Sequence, residues 1–438
     1  MKHEKPTMKK YYQLALVIIS IVSVVSLLFY RHEYNRLRYV LEVLNFFGKP
    51  GQSISVTSEC TTSFPDDASW TNPTPMWQRL TDTHYVYSAF WEEGQVKSVG
   101  VATTGTDPKF QCQLWYSQTN QSVPGKFGFS LTDSSEKRYD RLKHSKLFAS
   151  HFYCKPKNGV GVPFGVEFYK TDELVPFKTF VAVYHAEEKS TVANSTVFCV
   201  APAGTLPLQT SAVVEFLSYH RLVGVANFMA YDGGALTRIS SALSSAKVAA
   251  GYDIVATFLP WNFPFSQREA GDAATAALQS DCLLRNSGRH RNVAVLAWDE
   301  YVVPRYHHHL GAMLDDFDSG RKTTARFEIP AVAFCSNLPD DVKSRKGMPL
   351  VLRKTHYVRT GGDEPPFHVY RPHVKSALGD PSLTTQRISQ GIAALHRYVP
   401  CSAEDIASGK PALYEPAMLR FSGDLMKSAF LKSKKTLV

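Results

Sequence analysis

The chain has 438 residues, with 49 Lys and Arg against 39 Asp and Glu for a formal charge of +10, and 44% of its residues are hydrophobic and 12% aromatic. That composition excludes a disordered chain, a collagen-like repeat and a disulfide-held mini-protein, and it leaves room for one large or two to three ordinary domains. Residues 1–10 carry +3, residues 31–38 carry +2 and residues 427–438 carry +4, which leaves +1 for all the others. The basic excess therefore marks membrane flanks and a tail and does not argue for nucleic acid as a partner.

From Tyr11 to Tyr30 the 20 residues YYQLALVIISIVSVVSLLFY contain no charge. At about 1.5 Å per residue a helix of that length crosses one bilayer core. A cleaved signal peptide would have a shorter apolar centre followed by small residues. Here the run ends in Leu27-Leu28-Phe29-Tyr30-Arg31, so an uncleaved signal-anchor is expected, with residues 1–10 as a cytosolic tail. The seven cysteines (Cys60, Cys112, Cys154, Cys199, Cys282, Cys335, Cys401) and the sequons at Asn120 and Asn194 all follow the span. They place the remainder in an oxidising lumen, as a single-pass type II protein. No C-x-x-C pair occurs, which argues against structural zinc, and the odd count leaves at least one thiol unpaired within the chain.

Residues 31–80 mix Arg, Gly, Ser, Thr and Pro with little periodicity and read as a stem. Short runs at Tyr85–Phe90, Val96–Ala102, Phe110–Tyr116, Val166–Tyr169 and Thr179–Tyr184 predict a small, mostly β subdomain over 81–195. From 196 to 438 the pattern alternates. A helix is expected over Ser211–Val223, stopped by Gly224, then a strand from Val225 to Tyr231, a helix from Leu236 to Ala250, and a strand from Ile254 to Leu259. An alanine-rich helix from Gln267 to Arg285, with Ala270, Ala274 and Ala277 on its packing face, and a strand from Val293 to Ala297 complete the series. Strands alternating with helices predict a mainly parallel α/β sheet.

The most informative segment is Asn292-Val-Ala-Val-Leu-Ala-Trp-Asp-Glu-Tyr-Val-Val-Pro304. Its apolar run fits a strand covered on both faces, and Asp299-Glu300 stands where that strand leaves the sheet, the end at which α/β proteins bind ligands. Two carboxylates there suit a divalent cation opposite a diphosphate. From spacing alone, solvated charges at a strand end are the favoured reading.

Several ordered stretches resemble glycosyltransferase family 92, the metazoan type II membrane transferases. They are Glu215-Phe-Leu-Ser-Tyr-His-Arg-Leu-Val-Gly-Val225 with Phe228-Met-Ala-Tyr-Asp232, then Pro260-Trp-Asn-Phe-Pro264 and Gln279-Ser-Asp-Cys-Leu-Leu-Arg285. Trp298-Asp-Glu-Tyr-Val-Val-Pro-Arg305 and Leu395-His-Arg-Tyr-Val-Pro-Cys401 follow. The resemblance implies a GT-A-type nucleotide-diphospho-sugar transferase domain in the Golgi, a UDP-sugar donor (UDP-galactose in known members), a manganese-like divalent cation, and a glycan acceptor such as a fucosylated N-glycan. It also implies inversion at the anomeric carbon, which needs a carboxylate as general base and charge compensation for the departing diphosphate.

By that resemblance Asp299 matches the second aspartate of the family's Asp-x-Asp motif and is the first choice as metal ligand, with Glu300 following it as a donor-site acid. Ala297 stands where the family usually has the first aspartate. His396 lies in the segment resembling the family's late histidine element and is the second metal candidate; His368 and His373 are looser ones. Asp232 and Asp281 are candidates to touch the donor, against the alternatives of a turn residue before Gly233-Gly234 and a helix-end charge. Asp363 and Glu364, in the loop Thr360-Gly-Gly-Asp-Glu-Pro-Pro366, are candidates for the base. Glu215 and His220 read as structural, and His307-His308-His309 as surface, because adjacent side chains diverge. The Ala297 departure keeps a second class open, a catalytically degenerate relative that binds glycans or proteins. A third class, an adhesion or receptor ectodomain, would have no nucleotide pocket at this strand end.

Overall fold

The computed structural model describes residues 74–428 except 104, 118–120, 133–146, 158–160, 171–176, 186–194, 204–207, 235, 237–253, 319–323, 342–343, 345–346, 358–363, 373–384 and 402–412, together with Val22, Ser23 and Ser26. The chain divides into units 1–65 and 66–438. In the first unit only Val22, Ser23 and Ser26 are described, as helix, so the expected signal-anchor and most of the stem lie outside the described residues. Among these no helix is long and apolar enough to cross a membrane. Sequon residues Asn120 and Asn194, Cys60, and nearly all of the helix expected over 236–250 also lie outside them.

The second unit begins with a barrel of β1 (Gln78–Arg79), β2 (His84–Glu92), β3 (Gln95–Ala102), β4 (Gln111–Tyr116), β5 (Gln121–Leu131), β6 (Phe148–Pro156), β7 (Gly165–Lys170) and β8 (Phe177–Tyr184). The order is β1, β2, β3, β6, β5, β4, β7, β8, and a parallel pairing of β8 with β2 closes the ring. β1 and β8 share one edge of β2. β1 pairs with Tyr85 and Val86, and β8 with Ala89 and Phe90. Glu93 (φ 50°) and Gly94 (φ 75°) form the two-residue turn between β2 and β3, the left-handed pair that matches strand twist. β5 and β6 lie outside the expected runs; Pro124, Gly125 and Gly128 interrupt the alternation of β5. Gly125 has a specific reason. The disulfide Cys112–Cys154 joins β4 to β6 across β5, and a Cβ on Gly125 would lie 2.3 Å from the Cys154 sulfur.

After the barrel come β9 (Thr196–Val200), α1 (Thr210–Leu222), β10 (Asn227–Asp232), β11 (Val255–Pro260), α2 (Gln267–Asn286) and β12 (Asn292–Leu296). Next are β13 (Glu300–Pro304), α3 (Leu310–Asp316), β14 (Arg326–Ile329), β15 (Ala331–Cys335), α4 (Leu350–Arg353), β16 (His356–Tyr357) and β17 (Phe367–Tyr370). β18 (Thr385–Arg387), β19 (Ala393–Val399), β20 (Leu413–Tyr414) and α5 (Ser422–Lys427) follow. The main sheet has the order β11, β10, β9, β12, β17, β14, β18, and its first four strands are parallel. A second sheet runs β13, β19, β15, β16, β20.

Layering explains the continuous apolar strands. Val197 and Cys199 of β9, with Val293 and Val295 of β12, pack on Ala277, Leu278, Cys282 and Leu283 of α2, which is also covered by Tyr87, Phe90, Val99 and Val101 of the barrel. The alternate residues Phe198, Val200, Ala294 and Leu296 pack on Val213, Val214 and Leu217 of α1. Each of these strands is thus buried on both faces. Helix α2 starts with a capping box between Ser266 and Glu269. Gly271 is non-helical (φ 47°, ψ −137°); after this kink Ala277 is buried as expected, whereas Ala273 takes the buried place expected of Ala274. Two further disulfides tie β9 to α2 (Cys199–Cys282) and the end of β15 to the segment after β19 (Cys335–Cys401).

Candidate active site

Chain order and strand order together locate the site. From β9 the chain moves to β10 and β11 on one side, then returns through α2 to place β12 on the other side. The crevice beyond the carboxyl ends of β9 and β12 is therefore the topological switch point, where open α/β sheets take ligands. The two ends are tied by Ala201 N–H donating to Leu296 O at 2.8 Å. Immediately after β12 comes the turn Ala297-Trp298-Asp299-Glu300.

That turn is held from two directions. Glu300 N–H donates to Ala297 O at 3.2 Å, and Ala297 N–H donates back to Glu300 Oε2 at 2.8 Å. The other Glu300 oxygen accepts from Arg397 Nε at 2.9 Å, and Arg397 Nη1 donates to Glu364 Oε2 at 2.7 Å. Glu300 is fully buried, so Arg397 satisfies a charge that would otherwise be costly. Tyr398 N–H donates to Asp299 O at 2.9 Å. The Asp299 side chain is half-buried. Burial, then the Glu300 charge, push its carboxyl up to about 6, against its own backbone N–H and Arg397.

The structure treats the other expected site residues unequally. His396 does not join Asp299. Its register partner is Tyr301, inside β13 and past the turn that carries Asp299. The ring is fully buried 4.7 Å from that of Phe334, with Nδ1 3.5 Å from the Tyr398 hydroxyl, and burial lowers its pKa to about 3. It is a core histidine. Asp281 is also diverted from the donor. It is fully buried, takes a two-pronged pair from Arg285 (2.8 and 3.1 Å), and accepts from Ser88 Oγ at 2.5 Å and the Tyr231 hydroxyl at 2.6 Å. It bolts the barrel to the sheet. Asp232, at the carboxyl end of β10, accepts from the N–H groups of Gly234 (2.8 Å) and Leu236 (2.9 Å), the turn role open to it from the sequence. Asp363 and His373 lie outside the described residues, while Glu364 belongs to the Arg397 network. His368 lies 3.9 Å from Glu328 on β14.

Glu215 accepts the N–H groups of Leu350 and Val351 at 3.0 Å each, and His220 pairs with Phe216 O at 3.0 Å; both are structural, as expected. His308 and His309 are exposed, and His307 bonds Asp316 at 2.7 Å. Arg397 is the residue that sequence reasoning missed. Its signal was a basic residue inside an otherwise apolar strand, Ala393-Ala-Leu-His-Arg-Tyr-Val399, a position that requires a buried acid as partner.

Whether these residues suit a divalent cation is decided by what surrounds Asp299. Among the described residues no three His, Cys, Asp or Glu side chains gather closely enough to hold a metal. Glu300 is committed to Arg397 and to Ala297 N–H, and among the described residues no salt bridge to Asp299 is formed. Burial is the first cause of the raised Asp299 carboxyl, and this one carboxylate is what the turn would offer a cation, whose other ligands would have to come from a diphosphate and water.

The model of glycosyltransferase family 92 matches residues 194–376. No curated protein matches the chain. The structure is similar to that of a UDP-glucose pyrophosphorylase complexed with UDP-glucose, with 8% identity over 54% of this chain and 99% of that one, at a TM-score of 0.24. Residues 194–376, which hold β9 to β12, the switch point and Asp299, form a glycosyltransferase family 92 domain.

Proposed function

We propose that the protein is a Golgi type II membrane glycosyltransferase of GT-A type that moves a hexose, galactose from UDP-galactose, onto a glycan acceptor such as a fucosylated N-glycan, with inversion. The observation that carries this reading is Asp299, a carboxylate in a fixed turn at the carboxyl end of β12, beside the switch point of the parallel half of the main sheet. The crevice between β9 and β12 receives the nucleotide, and Asp299 faces its diphosphate. A manganese-like cation, when bound there, offsets the charge that develops on the leaving diphosphate. The Glu300–Arg397–Glu364 chain holds the turn in place, so that orientation is set before the donor arrives. Inversion requires a carboxylate that accepts the proton of the attacking hydroxyl. Glu364, anchored by Arg397, and Asp363, its neighbour in sequence, fill that part of the proposal. The charge-free stretch 11–30, three disulfides and two sequons support a lumenal, membrane-anchored setting.

The test is thermal shift of the purified protein with UDP and with UDP-sugars, each with and without manganese, followed by a screen for donor hydrolysis. A cation-dependent shift with UDP and hydrolysis of UDP-galactose are expected; no shift with any donor would sink the enzymatic reading. Ala297 and the lack of a three-ligand cluster among the described residues favour a second reading, a degenerate relative that binds glycans without transferring sugar. It is separated from the first by retained glycan binding with no UDP response.

A further inference from the structure

The barrel wall contains a cavity of about 220 Å³ that none of the strand-end residues line. Its position follows from the strand pairing. β1 leaves the edge of β2 at Val86 and β8 joins the same edge at Ala89. Tyr87 is the extra residue of a bulge there, since Val86 faces Gly100 and Ser88 faces Val99 on β3. A bulge re-aims side chains. Here Tyr87 and Ser88 both turn out of the barrel core, toward α2, and the seam between β1 and β8 opens above them. The walls include Tyr87, Phe180, Tyr184 and Met76, and Arg285 and Ser88 supply polar groups.

The chemistry of these polar groups is specific. Arg285 is nearly fully buried, and its guanidinium carbon lies 5.1 Å from the ring centroids of both Phe90 and Tyr184. Nε and Nη2 are spent on Asp281, which leaves Nη1 as a donor without a hydrogen-bond partner among the described residues. Ser88 Oγ donates to the same carboxylate and so keeps its lone pairs for an incoming donor. Because Asp281 already balances Arg285, the site has no net charge to offer an anion. Its volume of about 220 Å³ lies below the roughly 300 Å³ at which drug-sized ligands begin and matches a single sugar ring better than a nucleotide.

We infer that this cavity is a binding site for a single neutral pyranose ring, whose hydroxyls accept from Arg285 Nη1 and donate to Ser88 Oγ while an apolar ring face lies against Phe180 and Met76. It is a glycan-holding subsite on the barrel, separate from the strand-end crevice, and it does not depend on transfer taking place there.

The experiment is saturation-transfer NMR on the full chain in detergent with methyl glycosides of galactose, mannose, glucose and fucose, with sorbitol and uracil as controls. At least one glycoside should bind with a dissociation constant on the order of 1 mM, and neither control should. Ala182 lines the cavity from β8, between the core-facing residues Val181 and Val183, so Ala182→Leu fills the space without removing a contact. It should weaken glycoside binding at least tenfold, with Ala182→Ser retaining it and UDP binding unchanged in both. Absence of any glycoside signal, equal binding of sorbitol or uracil, displacement of the glycoside by UDP, or a folded Ala182→Leu protein that binds as before would each overturn the inference.

Discussion

Glu300 and Arg397 face each other across β13 and β19, joined at 2.9 Å, so a side chain from late in the sequence sets the conformation of the turn that presents Asp299. Replacing Arg397 by Met leaves Glu300 buried without its cation and should cost about 3–5 kcal/mol in urea unfolding. Adding Glu300→Gln should recover part of that loss. A single variant as stable as the parent would show that Glu300 finds another partner.

Asp281 has four contacts and no opening to a ligand, so its loss should be felt in stability and not in donor affinity. Asp281→Asn should lower unfolding free energy by about 3–5 kcal/mol, because Arg285 is left as an uncompensated buried charge. UDP affinity measured well below the melting temperature should stay within about twofold, a change too small to signal a lost direct contact. A large fall in affinity with stability intact would return Asp281 to the donor site.

Acid should destabilise the protein through its buried histidines. Burial lowers the pKa values of His151, His220 and His396 to about 3, below the ordinary 6.5. Between those limits the unfolded chain binds more protons than the native one. The stability they contribute is whole above pH 6.5 and is lost as pH falls, at up to about 1.4 kcal/mol per unit for each. Asp299 works in the opposite sense. Raised to about 6 from the ordinary 3.8, it favours the native state at low pH and loses that contribution as pH rises through 6. Urea titrations from pH 4 to 8 should show stability climbing with pH, and His396→Phe should flatten the slope. An unchanged slope in a folded variant would remove His396 from the balance.

The α/β half was legible in the sequence because its strands are covered on both faces and its helices carry a regular period. Val293 to Leu296 and Ser211 to Leu222 announce themselves through local pattern. The barrel was only partly legible, since Gly125 is chosen by a disulfide that passes over it and not by strand preference. Asp299 drew notice because it stands at a strand end, where α/β sheets bind ligands. Arg397, and the sealing of His396 and Asp281 into the interior, depend on cross-strand register and on the packing of the barrel against α2, relations between distant segments that no local pattern records.

Ala297 leaves room beside Asp299 for a second carboxylate, because its backbone N–H is the group that holds the turn and its side chain is only half-buried. Ala297→Asp should tighten manganese-dependent UDP binding by about tenfold, the scale on which a metal ligand or its support acts. Asp299→Asn should abolish the cation dependence. Isothermal titration with and without chelator reads both, and equal binding in the two conditions for the parent and for Ala297→Asp would set the cation aside.

Gly125→Ala places a methyl group against the bridge between Cys112 and Cys154. Either the bridge fails to form or β5 shifts, and stability should fall by about 2–4 kcal/mol, the usual worth of such a crosslink. Counting free thiols under denaturing conditions tells the two apart.

The borders of the family match are not the borders of something that can stand alone. Residues 194–376 omit Ser88 and Tyr87, which anchor on Asp281 and Pro260 O, and they omit β19 with Arg397 and the cysteine that closes on Cys335. Excised at those borders, the segment would expose one flank of α2 and strip the Asp299 turn of its brace, and it should be recovered as aggregate. The barrel and β19 are thus scaffolding for the site, and a module swapped between relatives would have to carry both.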